Sequence, residues 1–98
     1  MITYIATIHK DNDSDYGVQF YDFPGCISVG ETIEEAKVMA TEALNGHINL
    51  ILADGEQIPE PSTLETILND ADHQDAVAFM TIEISDTILA KLELYAKI

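Results

Sequence analysis

Apolar and polar residues alternate along the first part of the chain, and this alternation predicts strands. In residues 2–9 every even position is apolar, a period of two that is typical of a strand with one face in a core. The same alternation returns in residues 16–21 and 26–29. Because short polar or turn-forming segments such as Pro24-Gly25 join these runs, we expect a three-stranded antiparallel meander.

From residue 33 the apolar period lengthens, which predicts one long helix over residues 33–54. Its apolar positions are 33, 36, 40, 44, 48 and 51. Thr32 and Glu35 fit a capping box, in which the threonine hydroxyl accepts from a backbone N–H of the first turn. Gly55 follows as the residue expected to be left-handed at the helix end. Gly46 lies inside the helix at a cost of up to ~1 kcal/mol, and the pattern gives no reason for it.

The segment after the long helix combines an irregular stretch with a short helix. Pro59 and Pro61 lack backbone donors and restrict the residues before them, so regular structure is not expected around them. Ser62 and Glu65 then form a second capping box, which predicts a short helix over residues 62–69.

A fourth strand and a last helix complete the predicted fold. Residues 76–84 read as the strand, and their apolar first half indicates cover on both faces. An apolar stripe predicts a helix over residues 86–97. The order β-β-β-α-β-α defines an α+β fold with the long helix packed on one face of the sheet. We divide the chain into a core domain, residues 1–84, and a C-terminal helix, residues 85–98.

Charge is the global feature that bears most on function. The 98 residues include 18 acids and only four basic residues, all lysine, for a net charge of −14. Because nucleic-acid binding depends on clustered Lys and Arg, this composition argues against a nucleic-acid partner and favours a basic one. The alternative is that the acids only keep the protein soluble. No apolar run approaches the ~20 residues of a membrane helix, and Cys26 is the single cysteine, so we expect a cytoplasmic protein.

The sequence does not predict an enzyme, a metal site or a cofactor. A two-metal nuclease needs clustered carboxylates, and residues 2–9 contain no acid. Residues 11–15, Asp-Asn-Asp-Ser-Asp, resemble the start of a calcium loop. However, Tyr16 and Asp22 replace the glycine and glutamate required at its sixth and twelfth positions. We therefore expect a solvated acidic turn.

Three other reactive side chains have simpler structural interpretations. Cys26 has no evident activating base, so we expect a packed thiol. His47 falls on the apolar stripe of the long helix and is expected at the edge of the core. His73 lies among acids that would favour its charged form, without the spacing of metal ligands.

Residues 22–36 resemble the signature of HicB-type antitoxins. They read Asp-Phe-Pro-Gly-Cys-Ile-Ser-Val-Gly-Glu-Thr-Ile-Glu-Glu-Ala, and a second landmark of that family, Asp-Gly-Glu-x-Ile-Pro-x-Pro-Ser, occupies residues 54–62. One long helix separates the two, and the resemblance covers residues 2–84. The signature residues, to which we assign structural roles, are Pro24, Gly25, Cys26, Gly30, Thr32, Glu35, Ala36, Asp54, Gly55, Pro59 and Pro61.

The resemblance implies a partial RNase H-like fold that has lost nuclease function and serves as the antitoxin of a type II toxin–antitoxin pair. The implied partner is a HicA-type toxin, a small basic ribonuclease that cleaves mRNA and whose active site the antitoxin covers. A homodimer or larger oligomer is also expected. Family members usually carry a DNA-binding domain after the core and repress their own operon. Residues 85–98 are then either a helix of the core or the start of such a domain.

We expect toxin contacts where acids lie beside aromatic residues, because a basic partner would meet charge and apolar surface together. The candidate contact residues are Asp11, Asp13, Asp15, Tyr16, Asp22 and Phe23. The alternative function is a stand-alone regulatory or ligand-binding α/β module, which a gene without a small basic neighbour would favour.

Overall fold

The computed structural model describes residues 2–70 and 75–96, with side chains through residue 94. Its elements are β1 (Thr3–His9), β2 (Tyr16–Phe20), β3 (Ile27–Gly30), α1 (Ile33–Ala53), α2 (Leu64–Leu68), β4 (Ala78–Glu83) and α3 (Asp86–Ala96). The strands form one antiparallel four-stranded sheet in the order β3-β2-β1-β4. The predicted α+β fold is confirmed. His73 and one of the four lysines, Lys97, lie outside the described residues.

The core lies between α1 and one face of the sheet. The strands contribute the buried side chains of Tyr4, Ala6, Ile8, Val18 and Phe20. The helix buries Ala36, Ala40, Leu44, Ile48 and Leu52. These helix residues follow one ridge of positions spaced four apart, which is inclined to the helix axis. Ile33 and Ile51, predicted on the same stripe, therefore lie at its margins, with Ile33 exposed and Ile51 half-buried.

β4 is an edge strand with one covered face, so the expectation of cover on both faces is wrong. Among the described strands it pairs with β1 alone. Ile82 is completely buried, whereas Phe79 remains 36% exposed, and Val77 just before the strand is 59% exposed. An apolar run shows that a strand suits a buried position, but it does not say how many layers pack on it.

The predicted start of α1 is confirmed by its cap, and the helix ends at Ala53, one residue earlier than predicted. The backbone N–H of Glu35 donates to Thr32 Oγ1 over 3.0 Å. At the other end Asp54 is the cap, and its N–H donates to the Leu50 carbonyl over 3.1 Å. Gly55 then adopts a φ of 77°, the left-handed conformation that glycine tolerates best.

The start of α2 corrects the predicted second capping box. Thr63, not Ser62, is the cap, because its Oγ1 accepts from the backbone N–H of Thr66 over 3.2 Å. Ser62 and Thr63 could both cap the helix with a hydroxyl. The Ser62 hydroxyl instead donates to Asp22, which leaves Thr63 as the cap.

Gly30 brings two backbones into direct contact. It is the last residue of β3 and is paired with Tyr16. A methyl group on Gly30 would lie 2.3 Å from the backbone N of Ala36 and 2.6 Å from its Cα, so only glycine fits at this junction. Gly46 differs, because an added Cβ there meets nothing within 4 Å. The structure therefore gives no reason for Gly46.

α3 packs on the same core as the sheet. Ile88 is completely buried in the cluster that contains Tyr4. Asn45 ties α1 to the chain entering α3: its Oδ1 accepts from the Ser85 N–H over 2.7 Å, and its Nδ2 donates to the Glu83 carbonyl over 3.3 Å. Ser85 caps α3 by accepting from the N–H of Ile88. None of the described helices combines the length and apolar character needed to cross a membrane.

Candidate functional site

The two signature segments meet in space through a pair of hydrogen-bonded contacts, which we call the clasp. Asp22, in the turn after β2, accepts from the backbone N–H of Ser62 over 2.9 Å and from the Ser62 hydroxyl. The hydroxyl of Tyr4 in β1 donates to the Pro59 carbonyl. The clasp thus holds the proline-containing segment, with exposed Pro61 between its two contacts, against the sheet.

Phe23 anchors the clasp from inside the core. Its side chain is only 2% exposed. The ring meets Tyr4 edge-on, with 4.7 Å between ring centres, and lies 5.8 Å from the ring of His47. Such edge-to-face pairs add to the energy of burial. His47 is half-buried, in agreement with its expected place at the edge of the core.

Burial also shapes the chemistry of the clasp. Desolvation, with a smaller contribution from the charge of Asp22, raises the pKa of Tyr4 to about 12. The phenol therefore stays protonated at neutral pH and remains a hydrogen-bond donor to Pro59. A tyrosinate here would be unfavourable because it would be a buried charge and because it would lie beside the Asp22 carboxylate.

The turn that follows contains further signature residues. Pro24 and Gly25 are exposed, and Gly25 has a φ of 90°. Cys26 is 5% exposed, and burial raises the pKa of its thiol. A buried, protonated thiol is a poor nucleophile. The expectation of a packed thiol agrees with this environment.

The acidic turn, residues 11–15, lies at the opposite end of β2. All five of its residues are exposed, and Tyr16 beside it is half-buried. The backbone N–H of Asp11 donates to Ser14 Oγ over 2.8 Å, which closes the turn. Among the described residues, no group of three or more His, Cys, Asp or Glu side chains has the geometry to hold a metal ion.

Lys10 binds the backbone of the acidic turn. Its ammonium donates to the carbonyls of Asp11, over 2.9 Å, and Ser14. It also lies 5.3 Å from the ring centre of Tyr16, within the range of a cation–π contact. Lys10 thus holds two carbonyls of the turn, while the turn's acidic residues remain exposed.

A chain of three polar side chains on the outer face of the sheet was not predicted from the sequence. Asp75 Oδ1 lies 3.3 Å from His9 Nδ1, and His9 Nε2 lies 2.8 Å from Thr7 Oγ1. This order matches the acid–base–hydroxyl arrangement of hydrolases. However, Thr7 is completely buried, so its hydroxyl cannot reach a substrate. The spacing of Thr7 and His9 on one strand face was a usable signal, whereas Asp75 is distant in sequence.

The six expected contact residues thus separate into two groups. Asp22 and Phe23 have internal partners in the clasp, and Phe23 has almost no accessible surface. The other four lie at the start of β2: the exposed acids Asp11, Asp13 and Asp15, and the half-buried Tyr16, which also packs against the core. Only this second group offers exposed charge to a partner.

The sequence model of the HicB-like antitoxins of bacterial toxin–antitoxin systems matches residues 4–94 of the chain. Among curated proteins, an uncharacterised 14.9 kDa protein of Haemophilus phage HP1 is 38% identical over 74 residues, which cover 76% of this chain and 55% of that protein. Antitoxin HicB of Escherichia coli K12 is 36% identical over 70 residues, 71% of this chain and 48% of the antitoxin. The chain thus spans about half the length of these two relatives.

Solved structures share the fold. The crystal structure of the Burkholderia pseudomallei antitoxin HicB superposes with a TM-score of 0.75 at 27% identity, covering 99% of this chain and 86% of that one. A chain of the HicA3 and HicB3 toxin–antitoxin complex superposes with a TM-score of 0.69 at 23% identity, covering 86% of this chain and 99% of that one. At that identity the second likeness shows the fold alone.

Proposed function

Because this chain belongs to the family of HicB-like antitoxins of bacterial toxin–antitoxin systems, we propose that it binds and neutralises a HicA-type, mRNA-cleaving ribonuclease by covering the toxin's active site. The observation that carries the proposal is the family match over nearly the whole chain. The clasp supports it, since both signature segments are present and in contact. The existence of a HicA3–HicB3 complex with this fold supports the kind of partner.

Charge indicates how such a partner would be recognised. A ribonuclease that binds the phosphates of mRNA needs a basic surface around its active site. A chain with a net charge of −14 can bind that basic surface in place of RNA. We assign the first contacts to the exposed acids Asp11, Asp13 and Asp15, with Tyr16 as the adjacent apolar contact. Raising the salt concentration should weaken the complex by screening these charges.

We further propose that the chain acts by binding and not by catalysis, without a cofactor. β1 contributes no carboxylate. The two nucleophile candidates, Cys26 and Thr7, are both buried. In this proposal the RNase H-like sheet serves only as the support for a binding surface.

Assembly, location and operon control belong to the same proposal. We propose a cytoplasmic antitoxin that forms a homodimer or larger oligomer. Lys10 lies in the loop after β1, Lys37 on α1 and Lys91 on α3, so the described residues offer no basic cluster for DNA. Autorepression would therefore depend on a further DNA-binding domain.

The test is to co-express the chain with the small open reading frame beside its gene, followed by size-exclusion chromatography and an RNA-cleavage assay. We expect the two proteins to co-elute and cleavage to stop. Separate elution with undiminished cleavage would contradict the proposal and favour a regulatory module without a toxin. Cleavage of RNA by the chain alone would contradict its non-catalytic role.

A further inference from the structure

We infer that the toxin docks in a shallow trough on the outer face of β2 and β3, which receives an amphipathic basic segment of the toxin. The trough has an uncharged floor, Gly17, Gln19, Ile27 and Val29, with acidic residues at both ends. This inference rests on the proposed function and names the surface that performs it.

The floor follows from the strand register. Val29 lies opposite Gly17, which lies opposite His9; Ile27 lies opposite Gln19. These positions alternate with the inward residues of the same strands, so they face away from α1. Ile27 is 67% exposed and Val29 is 54% exposed. Two adjacent apolar side chains thus lie open on an edge strand, a position that natural sheets usually protect.

Two cavities continue the floor to either side. One, of about 440 Å³, extends from Gly17 and Val29 to Asp11, Asp15 and Asp75. The other, of about 600 Å³, extends from Gln19 and Ile27 across the Pro24-Gly25 turn to Asp70. The trough therefore joins the acidic turn at one end to the signature turn at the other.

Gly17 keeps the first of these cavities open. It lies between His9 and Val29 without a side chain of its own. A Cβ added there would meet only the His9 carbonyl, at an ordinary 3.7 Å. Unlike Gly30, Gly17 is not required by packing. Because it has no side chain, the floor of the trough is deeper at this position.

Charge selects the occupant. Residues 23–30 carry no charged side chain, whereas the ends of the trough carry Asp11, Asp15, Asp70 and Asp75, of which Asp75 also contacts His9. Lys10 also borders the first cavity, but its ammonium already binds the carbonyls of the acidic turn. A segment with apolar side chains flanked by Lys or Arg complements both parts of the trough. A second copy of this chain would bring its own net charge of −14 against the same acids.

The test measures the affinity of the neighbouring-gene toxin for wild type and three variants. Val29→Lys places a cation on the floor and should weaken binding by about tenfold or more. Val38→Lys is the matched control, because Val38 is equally exposed, at 57%, but lies on α1; its affinity should stay at the wild-type value. Gly17→Val fills the trough without changing charge, and should weaken binding while the thermal midpoint stays the same or rises, since valine favours strands.

The outcomes separate the two proposals. If wild type binds no toxin, the proposed function fails and the docking surface fails with it. If wild type binds and both trough variants bind equally well, the docking surface is overturned while the proposed function stands. If Val29→Lys changes self-association without changing toxin affinity, a second copy occupies the trough and the inference is again overturned.

Discussion

Two aspartate–aromatic pairs lie at the ends of β2, Asp15–Tyr16 where the strand begins and Asp22–Phe23 just after it ends, and their environments differ. Asp15 is exposed, and Tyr16 is half-buried beside Lys10. Asp22 is bound to a serine forty positions along the chain, and its aromatic neighbour Phe23 is in the core. The same local pair therefore gives an exposed acid beside a half-buried ring in one place, and a hydrogen-bonded acid beside a fully buried ring in the other. Contacts with residues distant in the chain make the difference.

The strongest test of this contrast is Phe23→Ala against Tyr16→Ala. Truncating a buried phenylalanine costs about 3–5 kcal/mol in the free energy of unfolding, because apolar contacts are lost and a cavity remains. Tyr16 is half-buried, so its truncation should cost clearly less. Urea unfolding of both variants measures the difference, and equal losses would show that the two pairs do not differ as described.

The next largest effect concerns the glycine that ends β3. Gly30→Ala forces a methyl group against the backbone of Ala36 and should destabilise the chain by about 3 kcal/mol. Gly46→Ala is the control within α1; since its Cβ has open space, it should stabilise by up to ~1 kcal/mol. Thermal unfolding compares the two, and a tolerated Gly30→Ala would refute the close contact of β3 with α1.

Asp22→Ala tests the clasp itself. It leaves the Ser62 N–H and hydroxyl without their acceptor and should cost about 2 kcal/mol, whereas Asp15→Ala at the exposed turn should change stability by less than ~0.5 kcal/mol. Chemical unfolding at neutral pH is the measurement. A loss for Asp15→Ala as large as that for Asp22→Ala would contradict the division into clasp and surface.

Asp22→Ala should also change the alkaline titration of Tyr4. The pKa of Tyr4 is raised in the fold to about 12 from its ordinary value of 10.0, so its stabilising contribution is complete below pH 10 and is lost as pH rises toward 12. Removing the Asp22 charge takes away the smaller of the two causes. The Tyr4 pKa should then fall partway toward its ordinary value. Ultraviolet titration of tyrosinate, with Tyr4→Phe to identify the signal, follows the shift.

The last variant combines Asp11→Asn, Asp13→Asn and Asp15→Asn. We expect it to have the smallest effect on stability but to change toxin binding. Unfolding free energy should change by less than ~0.5 kcal/mol, since these side chains are exposed. Association with the toxin should slow at low salt, and the difference from wild type should shrink as salt is raised. Stopped-flow or surface-binding kinetics at two salt concentrations provide the measurement, and a salt-independent rate would argue against these contacts.

Local chemistry accounts for the parts of the fold that were predicted correctly. The capping of α1 by Thr32 and the left-handed Gly55 involve partners within one helical turn, so residue order was sufficient to predict them. Predictions failed where a distant element decided the outcome. Ser62 loses the role of cap because Asp22 engages it, and β4 keeps one open face because it forms the edge of the sheet.

The candidate site divides in the same way. Sequence indicated the acidic turn, its lack of calcium-loop geometry and the family signature. It did not indicate that Lys10 binds the carbonyls of the turn, or that Asp75 reaches His9. The trough was equally hidden, because its floor consists of alternate residues from two strands whose register only the assembled sheet defines.

Residue order by itself therefore determined the elements, the family and the acidic character of this chain, since periodicity, caps and charge are local or additive properties. Tertiary structure alone decided which acids and aromatic residues are inside, which glycine is indispensable and where an open apolar face meets charge. Those outcomes depend on contacts between segments far apart in the chain, and the direction of a side chain becomes defined only when its neighbours are in place.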